Sequence, residues 1–260
     1  MNLSPPIELS TLATKNGSIV VVRDDFLRGG TKQRAMIPFL QESGFKECVY
    51  ASPFSGYAQV ALAVSCKLLG IKCKIFAEKD QCDNKLLNFD SILVASEVTR
   101  SIAYIADVSI VHSLEKAEKF ALDYAKADPN RTKLPLGIND PLFKSFLKIE
   151  LTNQWDLLCK IIHRPRRLWV TVGSGTLAQI LSEIIAPTKL VCVDVHVLQP
   201  EDSRIKKIKE IGDYISSPEI FVDPVTVNPP IPSNPYYDAK VWQFLENAAE
   251  AGDVWWNVAR

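Results

Sequence analysis

A lysine directly behind two glycines is the feature of this chain most able to do chemistry. Residues Arg23-Asp24-Asp25-Phe26-Leu27-Arg28-Gly29-Gly30-Thr31-Lys32-Gln33-Arg34 follow the apolar, β-branched run Ser18-Ile19-Val20-Val21-Val22. Two glycines open backbone conformations closed to other residues and let a flat ligand come close. A lysine held at such a bend can lose its proton and act as a nucleophilic amine. The plainer account of the same residues is a loop glycine pair followed by a solvated lysine.

Two further loops could serve an anionic ligand. Leu168 to Val172 reads as a buried strand running into Gly173-Ser174-Gly175-Thr176 and then an apolar helix. Backbone amides at a helix N-terminus suit a phosphate, and the Ser174 and Thr176 hydroxyls add donors. The alternative is a tight turn with Ser or Thr as N-cap. Ser55-Gly56-Tyr57-Ala58 also opens a helix behind a strand, and its amides could hold a carboxylate. An ordinary capped helix with Tyr57 in the core explains it equally.

These loops need a scaffold, and the chain alternates strand and helix patterns. Strands are expected over Ile19–Val22, Glu47–Ala51, Ile71–Ala77, Leu168–Val172 and Leu190–Val195. Helices are expected over Lys32–Gln41, Tyr57–Leu69, Leu114–Ala127, Phe143–Ile162, Thr176–Ile185 and Asp238–Ala251. Gly44, Gly70 and Gly252 follow as stops. This rhythm predicts parallel βαβ units and an α/β fold. Five prolines between Asp223 and Pro235 make that stretch extended rather than helical.

At 260 residues, 47% hydrophobic and 23% charged, the composition is that of a globular chain with a real core. Thirty basic residues balance thirty acidic ones, so no global field draws the chain to nucleic acid or an anionic membrane. A local basic cluster, His163-Arg164-Pro165-Arg166-Arg167, leaves a nucleotide-linked substrate as a weaker reading. Six scattered cysteines (Cys48, Cys66, Cys73, Cys82, Cys159 and Cys192) have no metal-like spacing and point to a reducing compartment. The three histidines, His112, His163 and His196, are too separated to argue for a metal. No secretory pattern opens the sequence, and no apolar run approaches the roughly 20 residues that span a bilayer. The expected location is the cytoplasm.

Taken in order, these segments resemble the fold type II (tryptophan-synthase-β-like) pyridoxal-phosphate enzymes, nearest the branch of 1-aminocyclopropane-1-carboxylate deaminase and D-cysteine desulfhydrase. That branch carries its cofactor lysine in R-x-D-D-L-x-x-G-G-N-K-x-R, matched here from Arg23 to Arg34. Its small-residue loop and Ala-rich helix ending near L-G-I-K are matched by Ser55-Gly56-Tyr57 and Leu69-Gly70-Ile71-Lys72. A P-x-G-G segment leading to a helix that ends near Gln is echoed by Pro135-Leu136-Gly137-Ile138 and Gln154. The glycine-rich phosphate loop corresponds to Gly173–Thr176, and D-P-V-Y-x-G-K to Asp223-Pro224-Val225 followed by Tyr237-Asp238-Ala239-Lys240.

The resemblance implies two three-layer αβα domains with mainly parallel twisted sheets and pyridoxal 5'-phosphate between them. The large cofactor-binding domain would comprise residues 1–42 with 155–260, and the small domain residues 43–154. It implies a Schiff base on Lys32, phosphate on Gly173, Ser174, Gly175 and Thr176, and substrate carboxylate on Ser55, Gly56, Tyr57 and Ala58. Tyr237 takes the place of an active-site tyrosine. The implied work is deamination or β-elimination on a small amino acid or amine, by a homodimer. Three positions depart from the pattern: Tyr57 and Thr31 stand where the family has Asn, and Val258 replaces a hydroxyl residue that meets the pyridine nitrogen. Asn257 would substitute there.

Two other readings stay open. One is a binding module that keeps the cofactor fold without turnover. The other is a phosphoribosyltransferase, since the strand, acidic pair and small-residue loop from Val20 to Thr31 resemble its ribose-phosphate cradle.

Overall fold

The computed structural model describes residues 4–79, 101 and 106–260, so Cys82 lies outside the described residues. In chain order the strands are β1 (Leu9–Thr14), β2 (Gly17–Arg23), β3 (Glu47–Ser52), β4 (Lys72–Glu78), β5 (Asp107–Val111), β6 (Arg131–Lys133), β7 (Arg167–Val172), β8 (Lys189–Asp194), β9 (Asp213–Ser216) and β10 (Val254–Asn257). The described helices are α1 (Gly30–Ser43), α2 (Ala58–Leu69), α3 (Leu114–Lys126), α4 (Pro141–Ile162), α5 (Thr176–Ile184), α6 (Ser203–Ile211) and α7 (Ala239–Ala248). They divide into two compact units, Met1–Thr31 with Lys144–Arg260, and Lys32–Phe143.

The first unit is built on a six-stranded sheet ordered β1-β2-β10-β7-β8-β9. Only β1 runs antiparallel, pairing with β2; the other pairings are parallel. Strands β7 and β8 are almost wholly buried, the pattern of strands covered on both faces. β10 is last in sequence yet pairs with β2 on one side and β7 on the other. Its two tryptophans therefore point opposite ways. Trp255 joins Ile19, Val21, Trp169, Val191 and Val193 under α7. Trp256 instead sends its indole N–H to Asp24 and Thr31.

The second unit is a parallel four-stranded sheet ordered β5-β4-β3-β6. Val49, Ala51 and Phe76 pack against Ala117 and Ala121 of α3. Cys48, one residue out of phase with Val49, meets Cys66 of α2. Helices thus cover both faces of this sheet. The fold class is the α/β arrangement expected from the sequence.

Two local expectations change. α7 stops at Ala248, because Ala249 is extended and Gly252 turns with a φ of +89°. The buried Asp253 carboxylate draws the chain away from the helix by accepting from the Glu250 amide and from Arg167. The N-cap of α5 is Gly175 in the left-handed region, not Ser or Thr.

Candidate active site

The acidic pair before the glycines builds the bend. Asp24 and Asp25 are both buried. Asp24 Oδ2 accepts from the Thr31 hydroxyl at 2.8 Å and from Trp256 Nε1 at 3.1 Å, while the Thr31 amide donates to the Val258 carbonyl at 3.1 Å. Asp25 is held by both Nε and Nη2 of Arg23, at 2.7 and 2.8 Å. A phosphoribosyltransferase would need such carboxylates for ribose; here they serve the strand-to-helix junction. The bend opens α1, so Lys32 is carried on the first turn of a helix.

Lys32 is partly buried, and its Nζ donates to the Gly137 carbonyl at 3.4 Å. Burial pushes its ammonium down from 10.5 to about 8, because an apolar surround disfavours the charged form. Gly137 takes a φ of +70°, which glycine adopts without strain, and its amide donates to the Tyr50 hydroxyl at 3.0 Å. Gly137 thus meets the amine through its carbonyl and a buried tyrosine of β3 through its amide. Pro135–Ile138 entered the sequence analysis only as a motif echo, and Tyr50 not at all. The positive-φ requirement of a Leu-Gly-Ile turn was the available signal for Gly137; Tyr50 left none.

Further along β3, the chain turns through Ser55 and Gly56, both buried, into α2. A β-carbon on Gly56 would stand 2.7 Å from Ser52 Oγ, so only glycine fits. The Gln59 amide, fully buried, donates to the carbonyls of Pro53 and Phe54, turning the loop's acceptors inward. Tyr57 is the N-cap residue of α2 and half-buried, with Ala58 beginning the helix. The Gly56 amide is taken by the Pro53 carbonyl, and the Gln59 and Val60 amides of the first turn by the Gly56 and Tyr57 carbonyls.

In the other unit, the loop after β7 brings together more of the expected residues. Gly173 and Tyr237 are in contact: a β-carbon on Gly173 would lie 2.9 Å from Tyr237 Cε1. Phe221 packs edge-on against Tyr237 with ring centroids 5.0 Å apart. Ser174 Oγ and Thr176 Oγ1 lie 3.2 Å apart at the N-terminus of α5. Asp238, next to Tyr237, accepts from Thr171 Oγ1 at 2.8 Å and the Ala259 amide at 3.2 Å, and burial pushes its carboxyl up to about 7. Lys240 is fully buried, donates to the Ile220 carbonyl at 2.7 Å, and is lowered to about 8 by the same cause. Asp238 and Lys240 belong to the Tyr237-Asp238-Ala239-Lys240 motif match without an assigned role, while Phe221, distant in sequence, is brought to Tyr237 by the fold.

Asn257 closes β10 with no exposure. Its Nδ2 donates to the Pro232 carbonyl at 2.8 Å, and Oδ1 is buried without a hydrogen-bond partner. An unpaired buried acceptor at the carboxyl end of a parallel strand fits a group that brings a donor. Within the first unit, this acceptor and the Gly173–Thr176 turn suit the ring nitrogen and the phosphate of pyridoxal phosphate; the second unit carries the amine of Lys32 that suits its aldehyde.

In the basic cluster His163 and Arg164 are exposed, and the two arginines that follow Pro165 are paired. Arg166 pairs with Glu250, and Arg167 binds Asp253 and the Ala248 carbonyl. His196 lies at the end of β8, its Nε2 2.7 Å from the Ser217 carbonyl. That contact requires a proton on Nε2, so this nitrogen is no base for the Ser216 hydroxyl 3.3 Å away. Among the described residues, no helix is long and apolar enough to cross a membrane.

No protein-family model matches the sequence. No protein of curated function matches it either. Solved structures match throughout the chain. An ACC deaminase homologue superposes with a TM-score of 0.75 at 12% identity, covering 100% of this chain and 91% of its own. Escherichia coli diaminopropionate ammonia lyase gives 0.66 at 13%, covering 100% and 84%. A fungal L-serine ammonia-lyase from Rhizomucor miehei gives 0.65 at 13%, covering 99% and 94%. Two parallel α/β sheets, strand pairing and full-length superposition agree: the chain has the fold of the fold type II pyridoxal-phosphate enzymes.

Proposed function

We propose that the protein is a pyridoxal-phosphate enzyme acting on a small amino acid or amine, by deamination or β-elimination. The observation that carries this reading is the Lys32 amine, lowered to about 8 by burial and held at the start of a helix behind a diglycine bend. A group with that value is neutral in roughly a tenth of molecules at pH 7, against about one in three thousand at 10.5. Neutral amine is what attacks an aldehyde.

The remaining residues take complementary roles. The Gly173–Thr176 amides and the two hydroxyls at the N-terminus of α5 bind the phosphate dianion. The turn Ser55-Gly56-Tyr57-Ala58 binds the substrate carboxylate. When bound, the cofactor supplies a conjugated electron sink for negative charge at the substrate carbon. Lys32 would hold the cofactor through its amine, and the same amine, when free, would carry a proton to or from that carbon. Tyr237 orients the substrate or exchanges a proton through its hydroxyl, its ring steered by Phe221 and Gly173. Asn257 meets the ring nitrogen. Homodimer assembly belongs to the same reading. The superposed diaminopropionate and L-serine ammonia-lyases support the substrate class.

Absorbance decides it. Purified protein mixed with pyridoxal phosphate should develop a band near the visible edge that is absent in Lys32→Ala, and amino acids should shift that band. A protein that stays colourless with added cofactor sinks the proposal. A Lys32-dependent band that no amino acid or amine moves favours the module without turnover, which the asparagine-to-tyrosine departure at Tyr57 motivates.

A further inference from the structure

Asn257 differs from a hydroxyl residue in one chemical respect. An amide oxygen accepts hydrogen bonds and cannot donate them, whereas a serine or threonine hydroxyl does either. Which end of this amide faces the Pro232 carbonyl is not arbitrary: flipping it would set two oxygens against each other at 2.8 Å. Oδ1 is therefore fixed as the atom left over, buried and without a partner. Leaving such an atom unpaired is unfavourable, because it gives up its hydrogen bond to water without replacement. Among the described residues the other buried side-chain polar atoms without partners are Ser10 Oγ, Ser65 Oγ and Trp255 Nε1. The first two are hydroxyls, and Trp255 packs into the core beside Trp242. Asn257 Oδ1 is the acceptor-only atom of this set.

Its place in the fold is informative. β10 pairs in parallel with β7, with Val254 opposite Leu168 and Trp255 opposite Trp169. Asn257 therefore ends its strand next to the end of β7, where the chain runs into Gly173. Neighbouring strands lie about 4.8 Å apart, and ligands of open parallel sheets bind off their carboxyl ends. The Gly173–Thr176 turn and Asn257 thus lie at the same carboxyl end of neighbouring strands, within reach of one ligand.

We infer that Asn257 Oδ1 selects a ligand carrying a hydrogen-bond donor at that point, so that pyridoxal phosphate is held with its ring nitrogen protonated. This rests on the function proposed above. The phosphate and phenolate oxygens of the cofactor only accept; the ring nitrogen donates once protonated, and unprotonated it opposes Oδ1 lone pair to lone pair. A pyridinium ring is the stronger electron sink. Asn257 thereby favours chemistry that places full negative charge on the substrate carbon. Val258, its neighbour, offers neither donor nor acceptor in its side chain.

The test uses pyridoxal phosphate labelled with nitrogen-15 in the ring, bound to the full-length protein at neutral pH. Nitrogen NMR should place the bound ring at the pyridinium position. Asn257→Ser should move it towards neutral pyridine, and Asn257→Asp, which keeps an acceptor, should not. A neutral-pyridine signal in the wild type, with the Lys32-dependent absorbance band present, overturns the inference and leaves the enzyme reading standing. A pyridinium signal unmoved by Asn257→Ser overturns it as well, since another group would then hold the proton. Absence of the band removes the enzyme reading, and this inference with it.

Discussion

Gly173 and Tyr237 lie so close that a β-carbon on the glycine would stand 2.9 Å from Cε1 of the tyrosine ring. The ring cannot retreat freely, because Phe221 packs against it at 5.0 Å. The anion-binding turn and the candidate catalytic tyrosine are thus one packing unit, although the turn follows β7 and Tyr237 precedes α7.

Gly173→Ala should therefore weaken cofactor binding by roughly ten- to a hundred-fold, the effect of about 1–3 kcal/mol of overpacking. Adding Tyr237→Ala removes the obstructing ring. A double-mutant cycle on cofactor affinity should then show a coupling of at least about 0.5 kcal/mol. Strict additivity would mean that the tyrosine and the turn act independently.

The Lys32 amine sets a pH dependence for cofactor capture. Its value is lowered from 10.5 to about 8, so the reactive neutral form grows as pH rises and saturates above that point. Stopped-flow absorbance should show the rate of band formation climbing close to tenfold per pH unit between pH 6 and 7 and levelling off by about pH 9. A rate still climbing steadily to pH 10 would place the amine in ordinary solvent. Lys32→Arg, which keeps charge and cannot form the linkage, should give no band.

The bend that carries Lys32 depends on three side chains. Thr31, Asp24 and Trp256 share two hydrogen bonds to one carboxylate oxygen and a third contact of 3.1 Å between Trp256 Nε1 and Thr31 Oγ1. Thr31→Val keeps the shape and removes the hydroxyl, leaving a buried carboxylate short of one donor. Denaturant unfolding should show a loss of about 1–3 kcal/mol. No change beyond about 0.3 kcal/mol would indicate that water replaces the hydroxyl.

Asp238 makes stability depend on pH in the opposite sense to an ordinary surface carboxylate. Burial raises its value from 3.8 to about 7, so between those limits the folded state holds a proton that the unfolded chain releases. Its contribution is complete below about pH 4 and is lost as pH rises to about 7. Unfolding midpoints measured from pH 4 to 7 should decline in the wild type more steeply than in Asp238→Asn, which does not titrate. Parallel profiles would show that Thr171 and the Ala259 amide hold the carboxylate ionised.

Much of the scaffold was legible because its signals are local. Val21 and Val22, Cys48 to Ala51, and Leu168 to Val172 are short apolar runs, and buried strands need little more. Fully buried β10 was not among the expected strands although Val254-Trp255-Trp256 carries that signal; the other unexpected strands lack it. β1 is an edge strand of alternating partial exposure, while β6 and β9 have three and four residues and no fully buried position. β5 is similarly half-exposed. α6 carries three lysines and an arginine among its nine residues, which hide the two buried isoleucines Ile205 and Ile208.

By itself the sequence determined the α/β rhythm, the diglycine bend before Lys32, and the glycine turn after β7, because each is set by residues adjacent in the chain. Tertiary structure decided the rest. It alone inserts β10 between β2 and β7, hands Asp24 to Thr31 and Trp256, sets Gly137 against the Lys32 amine, and leaves one oxygen of Asn257 without a partner. Propensity acts over a few residues, whereas strand order and the burial of polar groups are settled by segments distant in sequence that compete for the same core. That is why candidate residues could be proposed from the sequence, while the contacts around them could not.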